Sequence, residues 1–435
     1  MNGAIKFKIM LKKYFKNIFP FLREWLDFLP LLFIYFFTTI LFSENIFEGD
    51  EGRYMRFSEN LLNGYYAMPN LKPGFLWNGP GYPLIISPLT LLDSPLIVYK
   101  ILNSIFLFYG IIYIYKSLRF NFSKKTATII SYFLGLTNPY YFIAITRILT
   151  ESLVFFLISF SLFHFIKFIN SKGERNLILF ILSSGLLILT KVFFSYVFLT
   201  LIFISIIYWI FKKHKDFRYL KLSFFPLFVC IPYLIYTHNI TGKLFYWSDA
   251  GGSNLYCMST PYENEYGDWF DTTYDAFFYK YSKNRNDHIP FFKSIEKYKN
   301  NGLEYDKKLK EQALLNITRN PSKYFKNWIF NISRTFTNSP KTNKGELKIS
   351  VFQPLNTILF SFILVLFTIS CFYYLINYKN NYISILVIFC LVYLGGISLI
   401  SSMQRFLLPV YPIIIFIIVN FFQAVLIKKN NQLSY

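Results

Sequence analysis

Acidic side chains stand directly beside apolar runs at two places in the chain. Asp50 and Glu51 follow the first long apolar run, and Glu151 begins a later one. A carboxylate at the mouth of an apolar helix costs free energy unless it is paired or solvated. A carboxylate held there can act as a general base toward a hydroxyl group. The alternative is helix capping, with Asp50 or Thr150 as the N-cap and a glutamate in the first turn.

Positive charge occurs where topology rules expect little of it. Arg147, Lys191 and Arg405 lie in short loops on the side that the charge pattern places outside the membrane. Short outer loops normally avoid Lys and Arg. The three exceptions indicate a bound anion such as a lipid phosphate, which guanidinium and ammonium groups recognise well. The alternative is snorkelling, in which each side chain extends to headgroups of the outer leaflet.

The chain that must position these residues is strongly apolar. Of its 435 residues, 54% are apolar and 16% are charged, and 45 Lys+Arg against 23 Asp+Glu give a net charge of +22. Soluble domains carry about 25% charged residues. The composition argues against a cytosolic enzyme, a disordered chain and a disulfide-stapled secreted domain, and favours an all-α bundle of transmembrane helices. Because basic residues cluster beyond apolar runs, we expect anionic membrane lipids, not nucleic acid, as partners.

Apolar runs of the length that crosses a bilayer occur about ten times, and more spans are compatible with the pattern. They lie near residues 26–43, 95–115, 126–142, 150–169, 176–190, 194–211, 222–238, 352–376, 382–401 and 406–427. A further run, residues 82–92, contains Pro83 and Pro88 and is short. Proline interrupts helices, so we expect this run to lie at the interface or to re-enter.

Charge bias sets the predicted orientation and domain organisation. Every second short loop is basic, which puts these loops and both termini in the cytoplasm and makes the chain a multi-pass protein of the cytoplasmic membrane. Residues 1–241 are then an N-terminal transmembrane catalytic region with a first outer loop at 43–81. Residues 242–350 form an extracytoplasmic, mostly helical segment, and residues 351–435 form the C-terminal transmembrane helices.

Carboxylates and cations at one membrane face suit the transfer of a sugar from a polyprenyl-phosphate carrier. The sequence has no glycine loop that would cradle phosphates and no dinucleotide fingerprint, so a soluble nucleotide donor is not expected. The cations would stabilise the charge that the phosphate gains as it leaves. That phosphate needs no proton, so one carboxylate suffices as base for the acceptor hydroxyl. A single displacement would invert the anomeric carbon.

Several short motifs follow one another along the chain. They are Asp50-Glu51 with Tyr54, Leu61-Leu62-Asn63-Gly64-Tyr65, Trp77-Asn78-Gly79-Pro80-Gly81-Tyr82-Pro83, Thr150-Glu151, Leu189-Thr190-Lys191, Asn254-Leu255-Tyr256, Ala313-Leu314 before Asn320-Pro321, and Arg405-Phe406 with Pro409 and Pro412. This ordered set resembles the membrane glycosyltransferases of the C-type fold, in the branch with protein O-mannosyltransferases and aminoarabinose–lipid A transferases. The chain differs from that pattern at Gly81, where proline is commoner, and at Phe406, where tyrosine is usual.

The resemblance implies a transferase that takes sugar from a polyprenyl-phosphate donor on the outer face of the cytoplasmic membrane. Asp50 would be the base, Glu51 would assist or orient it, and Glu151 would be a second acid of the cavity. The donor phosphate would bind Arg147, Lys191 and Arg405. The substrate cavity would include Arg53, Tyr54 and Tyr82. A divalent metal, which only some relatives hold in these loops, is left open, as are the sugar and the acceptor, which is a lipid, a glycan or a protein.

Two other classes of membrane protein remain as alternatives. A transporter or lipid flippase typically has paired half-repeats and charges near the middle of the membrane, whereas the charges here lie at the outer interface. An oligosaccharide polymerase or ligase of another fold needs a large outer loop, which this chain has. We find no internal repeat of the kind that transporters show, and the polymerase or ligase gives no reason for Asp50-Glu51 after the first span.

Overall fold

The computed structural model of the chain describes residues 25–47, 49–67, 72–212, 217–270, 272, 284–337, 353–377 and 382–433. Every regular element in these ranges is helical, as the composition predicted. The α-helices are α1 Leu29–Phe42, α2 Glu51–Leu62, α3 Gly81–Leu91, α4 Leu96–Leu118, α5 Lys124–Thr137, α6 Pro139–Thr146, α7 Glu151–Ser171, α8 Glu174–Thr190, α9 Phe193–Lys212, α10 Arg218–Phe228, α11 Ile231–Thr241, α12 Gly251–Met258, α13 Arg285–Ile295, α14 Gly302–Arg319, α15 Pro321–Phe336, α16 Gln353–Ile376, α17 Tyr382–Ser398 and α18 Tyr411–Leu433. Two 3-10 turns are Glu296–Tyr298 and Gln404–Leu407.

Four helices of the described chain are long and apolar enough to cross a membrane, namely α4, α7, α9 and α16. The bent pair α10 and α11 makes a fifth if it is one span. The structure therefore supports a multi-pass membrane protein but does not confirm about ten spans. Helix length is the reason: α1 and α17 have 14 and 17 residues. At about 1.5 Å per residue, such helices fall short of a hydrocarbon layer of about 30 Å.

Local sequence explains where apolar runs break. The predicted span at 126–142 is two helices, because the Asn138 side chain caps α6 and Pro139 opens it. The chain bends by 48° between α10 and α11. Pro226 lies inside α10 and Pro232 stands at the start of α11. Proline lacks the backbone N–H that would continue the helical ladder, so the bend falls there.

Small residues let the central helices approach each other closely. A Cβ added to Gly110 of α4 would lie 2.3 Å from the Phe155 ring of α7. The hydroxyl groups of Thr39 in α1 and Ser104 in α4 share a hydrogen bond of 2.7 Å. Both contacts are typical of helices that pack within a membrane, where small and hydroxyl residues replace bulky ones at interfaces. They hold α1, α4 and α7 together as one block.

Two short helices, α2 and α3, pack together over one end of this block. In the sequence, Tyr54, Phe57, Leu61 and Leu62 fall on one helical face, which predicts an amphipathic helix lying on the bilayer. This prediction is wrong for the first turns of α2. Tyr54 and Phe57 are buried in the protein, and the Tyr54 ring lies 5.3 Å from the Tyr82 ring of α3. Leu62 at the end of α2 is exposed. With eleven residues, α3 is too short to span, as its two prolines suggested.

The polar segment between α11 and α16 has a small apolar core of its own. Tyr256 of α12, Phe292 of α13 and Leu309 of α14 are buried together there. The helical spacing of Leu309, Ala313, Leu314 and Ile317 predicts a helix over residues 305–318, and α14 confirms it. The division into three regions at residues 241 and 350 stays a prediction, since this packing does not test it.

Candidate functional site

Asp50 lies at the N-terminal end of α2, but its side chain does not cap that helix. One carboxylate oxygen accepts a hydrogen bond of 3.0 Å from Nη2 of Arg53. The other accepts one of 3.3 Å from Nη1 of Arg405, which lies in the 3-10 turn before α18. Residues 355 positions apart in sequence therefore meet here. The capping alternative does not hold for Asp50, and Arg405 is turned toward a carboxylate.

Glu151 opens α7 and forms the second ion pair of the site. Its Oε1 lies 3.1 Å from Nζ of Lys191, which follows the last residue of α8. The Glu151 side chain is 5% exposed and that of Lys191 is 25% exposed. Thr150 makes no capping bond and instead donates its hydroxyl to Glu151 Oε2 at 3.3 Å. Lys191 thus pairs with a carboxylate within the protein, which argues against simple snorkelling.

Tyr54 and Asn78 connect the two ion pairs. The Asn78 side chain accepts a bond of 3.4 Å from Arg53 and donates one of 3.2 Å to the Tyr54 hydroxyl. Tyr54 also hydrogen-bonds the Thr150 side chain. Burial raises the pKa of Tyr54 well above its ordinary value, and the negative charges of Asp50 and Glu151 add to this. Both carboxylates therefore lie close to one buried phenol, at what we call the site end of the bundle.

Charge around Asp50 favours its ionised form. Burial by itself raises the pKa of this carboxyl group, because a low-dielectric environment disfavours charge. The positive charges of Arg405, Arg53 and Lys191 together outweigh burial, so the pKa of Asp50 lies below its ordinary value. Asp50 is thus a carboxylate at neutral pH. Lys191 acts on Asp50 although its ion-pair partner is Glu151, which again places the two pairs in one cluster.

The remaining residues predicted from the sequence lie behind or beside this cluster. Tyr54 and Tyr82 are almost completely buried, whereas the Arg53 side chain is partly exposed. The Tyr82 hydroxyl donates to Asn103 at 3.1 Å, and Asn103 donates to the backbone oxygen of Arg147 at 2.8 Å. Arg147 is therefore tied to the site through its main chain. The roles assigned to all of these residues stay predictions.

Acidic residues of the site are arranged around cations. Glu51 is the first residue of α2 and is buried. Within the described ranges, no three His, Cys, Asp or Glu side chains come together as a group that could hold a metal ion. Asp50 and Glu151 have arginine and lysine as their ion-pair partners.

Sequence reasoning missed Asp249, which fastens the first loop to the segment that follows α11. Asp249 is buried and accepts backbone N–H bonds from Gly74 at 2.7 Å and Leu76 at 3.3 Å. Trp77, the residue after Leu76, has its ring centroid 5.1 Å from the Arg53 guanidinium carbon. Asp249 thus supports the loop on which Arg53 rests. A single aspartate between two aromatic segments carries no sequence signal for this role.

A second carboxyl group, Asp306 of α14, lies near Asp249. Burial, reinforced by the charge of Asp306, raises the pKa of Asp249 from 3.8 to about 7. Burial likewise raises the pKa of Asp306 to about 6, although the Gly252 backbone N–H donates to it at 2.7 Å. The folded protein keeps these protons at pH values where ordinary aspartates have lost them. Its stability therefore falls as pH rises from about 4 through 7 and levels off above.

We expect the first loop to separate from Asp249 more readily as pH rises, because burial disfavours the ionised Asp249 more than its two N–H bonds from the loop favour it. Hydrogen exchange at the amides of Gly74 and Leu76, corrected for intrinsic rates, should be faster at about pH 8 than at about pH 5. Asp306→Asn should reduce this difference, because it removes the neighbouring charge. Glu311→Gln, an exposed change on the same helix, should keep the wild-type difference. Equal protection of wild-type protein at both pH values would show that the pair does not control the loop.

Lys191→Met is expected to destabilise the protein. Breaking a buried ion pair costs about 3–5 kcal/mol, and the partial exposure of Lys191 puts this case near 3 kcal/mol. The thermal midpoint of the detergent-solubilised protein, followed by size-exclusion chromatography, should fall by several degrees. The double variant Lys191→Met/Glu151→Gln should recover most of that loss, because no buried charge is left. An equal loss in both variants would mean that the pair contributes nothing specific.

Part of the chain matches the sequence model of a known protein family. The sequence model of the Alg9-like mannosyltransferase family covers residues 71–286, which include Glu151 and Lys191 but not Asp50 or Arg405. A search among curated proteins finds no significant match. This match does not identify the branch with protein O-mannosyltransferases and aminoarabinose–lipid A transferases, so membership in that branch stays a proposal. Helices long enough to cross a membrane and similarity to mannosyltransferases together support a multi-pass membrane glycosyltransferase.

Proposed function

We propose that the chain transfers a sugar from a polyprenyl-phosphate donor to an acceptor at the outer face of the cytoplasmic membrane, with inversion at the anomeric carbon. Asp50 is the general base for the acceptor hydroxyl. The observation that carries this proposal is the junction of Asp50 with Arg53 and Arg405, beside the pair of Lys191 and Glu151. A base and several cations in one partly exposed cluster are what transfer from a phosphate carrier requires.

The cations are suited to a phosphate leaving group. As the bond between the anomeric carbon and the phosphate oxygen breaks, its electron pair stays on the phosphate, which gains negative charge. Arg405 and Lys191 would hold that charge with hydrogen bonds that strengthen in the transition state. The acceptor oxygen bonds the anomeric carbon from the opposite face and gives its proton to Asp50. Atoms and charge balance without a second acid.

Donor binding would also activate the base. In the described structure, Arg405 and Lys191 hold the pKa of Asp50 low, and a carboxylate with a low pKa is a weak base. A phosphate that pairs with the same cations would offset their charge and raise the pKa of Asp50 toward the working pH. Deprotonation of the acceptor would then depend on the donor being in place.

An apolar cavity offers a place for the lipid part of the donor. A cavity of about 130 Å³ lies among α7, α8, α9, α10 and α17, and its walls include Ile158, Leu187, Phe198 and Phe389. Ile158 is seven residues beyond Glu151 along α7, which corresponds to about 10 Å of helix. A polyprenyl tail in this cavity would therefore start close beneath Lys191, where the phosphate would bind.

Basic residues at the other end of the bundle support an outward-facing site. Lys116 lies in the last turn of α4, Lys124 opens α5 and Lys172 follows α7. These ends are opposite to the site end, where α7 begins and α8 finishes. Because Lys and Arg in short loops mark the cytoplasmic side, the site end would face outward.

The proposal is tested by transfer from a labelled carrier. Because the matched family consists of mannosyltransferases, polyprenyl-phosphate mannose is the first donor to offer to the protein in vesicles. We expect the label to move to an acceptor, which mass spectrometry of cell-envelope lipids, glycans and proteins with and without the gene would identify. If the labelled carrier crossed the bilayer chemically unchanged, the transporter alternative would replace this proposal.

A further inference from the structure

Helix α15 has its polarity reversed relative to a helix of a water-soluble protein. Its buried face carries Lys323, Asn327, Asn331 and Arg334, which recur at helical spacing. A water-soluble protein would bury the apolar stripe of such a helix and expose the polar one. The reversal indicates that α15 is polar on its protein side and apolar toward its surroundings.

The buried polar side chains all have partners in the polar segment before α13. Asn327 donates to the backbone oxygens of Met258 at 3.0 Å and Thr260 at 3.2 Å. Lys323 donates to the Glu265 backbone oxygen at 2.6 Å. Polar groups placed inside a protein require such partners, since an unpaired one costs free energy. The polar face is therefore turned toward the protein.

The outward face of α15 carries large apolar side chains. Phe325 is 57% exposed, Ile329 is 49% exposed and Phe330 is 41% exposed. Phe325 and Ile329 are four residues apart, so they lie on the same side of the helix. Lys326 on the same side is half exposed and lies 3.5 Å from the exposed Glu263. An apolar face with a basic residue beside it is typical of helices that lie at a membrane surface.

Neighbouring helices place this face at the edge of the membrane. The Trp328 indole N–H donates to Ser398 Oγ at 2.8 Å, and the Tyr324 hydroxyl donates to the Leu399 backbone oxygen at 2.8 Å. Both contacts are to the end of α17 that leads into the Arg405 turn, which is the site end. Trp and Tyr are enriched where bilayer and water meet. The candidate span α16, which packs against α15, exposes Ile358 and Phe362.

We propose that α15 is seated in the surface layer of the bilayer at the site end, with Phe325, Ile329 and Phe330 against lipid. The occupant of this face is phospholipid, because the face continues the exposed apolar surface of α16. The polar face would then be pressed against the stretch that leads to Arg405. There the Asn331 side chain donates to the Ser398 backbone oxygen at 3.0 Å, and the Asn331 backbone oxygen accepts from Ser402 Oγ at 2.6 Å. The bilayer surface thereby helps to position the Arg405 turn.

Photocrosslinking in the full chain tests this without an activity assay. Photoreactive benzoylphenylalanine would replace Phe325 or Ile329 in protein reconstituted in phosphatidylcholine and phosphatidylglycerol vesicles. Benzoylphenylalanine in place of Phe362, an exposed residue of α16, serves as the lipid-facing reference. Benzoylphenylalanine in place of Glu311, an exposed residue of α14, serves as the water-facing reference. Mass spectrometry would count phospholipid adducts. We expect as many phospholipid adducts at position 325 as at position 362, and about ten times as many as at position 311.

The result that overturns the proposal is equally specific. The reference position 362 must give many phospholipid adducts under the same conditions. If positions 325 and 329 then give as few adducts as position 311, the face of α15 does not lie in lipid. Crosslinks from 325 to a second copy or to another protein would assign the face to a protein partner instead. Because the readout is contact with lipid, a failure here leaves the proposed transfer reaction untouched.

Discussion

Asp50→Asn should lower the rate of sugar transfer by about 10²–10⁴-fold, the contribution that general base catalysis typically makes. Asparagine keeps the shape of the side chain and accepts one hydrogen bond, but it cannot take the proton of the acceptor hydroxyl. The variant should insert and be produced normally, because Asp50 makes no capping bond to its helix. Transfer from polyprenyl-phosphate mannose to the identified acceptor, measured at saturating donor, provides the rate.

The matched control for this variant is Asp287→Asn. Asp287 lies in the first turn of α13 and is exposed, so the same chemical change there should leave transfer unchanged. A rate near wild type in Asp50→Asn would exclude Asp50 as the base. In that case Glu51 and Glu151, the other carboxylates of the cluster, would be the residues to replace next.

Arg405→Ala should weaken binding of the donor phosphate by about 10–100-fold, because a hydrogen bond to a charged group contributes about 1.5–3 kcal/mol. Lys191→Ala should act in the same direction. Arg405→Ala should also move the acid limb of the rate profile to higher pH. Arg405 is the strongest of the charges that lower the pKa of Asp50, so its loss raises that pKa and protonates the base sooner as pH falls.

Donor affinity can be measured apart from turnover, with polyprenyl phosphate and protein in nanodiscs. Lys124→Ala is the control, since it removes one positive charge at the opposite end of the bundle, where Lys124 pairs with Asp27 at 2.6 Å. We expect Lys124→Ala to bind polyprenyl phosphate as tightly as wild type, and Arg405→Ala and Lys191→Ala to bind it more weakly. Unchanged affinity in Arg405→Ala and in Lys191→Ala would remove the phosphate from this cluster.

The sequence was sufficient to bring the main site residues to one end of a helical bundle. Asp50, Glu151, Lys191 and Arg405 each stand at the boundary of an apolar run, and alternate runs must cross in opposite directions. The end of one run and the start of the next therefore lie on the same side of the membrane, and every second such junction lies on the same side as the first. This holds however the helices pack. This argument needs only hydrophobic pattern and charge, which are local properties of the chain.

Other features depend on tertiary contacts and could not be predicted. The pairing of Asp50 with Arg405 rather than with Lys191 depends on where the fold brings the 3-10 turn that carries Arg405. The apolar face of α2 was assigned to the bilayer because the pattern does not distinguish lipid from α3 as a neighbour. Asp249 gave no signal, since its partners are backbone groups. The count of about ten spans is not confirmed, and one reason is that apolar runs do not reveal where Asn138 and Pro139 break a helix.

Cysteine crosslinking from outside the cell tests the central claim, that carboxylate and basic side chains meet in a cavity on the outer face of the membrane. The four cysteines, Cys230, Cys257, Cys371 and Cys390, are all buried and would be replaced first. Cysteines at Asp50 and Arg405 should then be joined by a short, membrane-impermeant bifunctional thiol reagent added to intact cells. A pair at Asp50 and Lys124 should not be joined. Formation of the 50–405 product only after the membrane is opened, or no such product at all, would contradict the account.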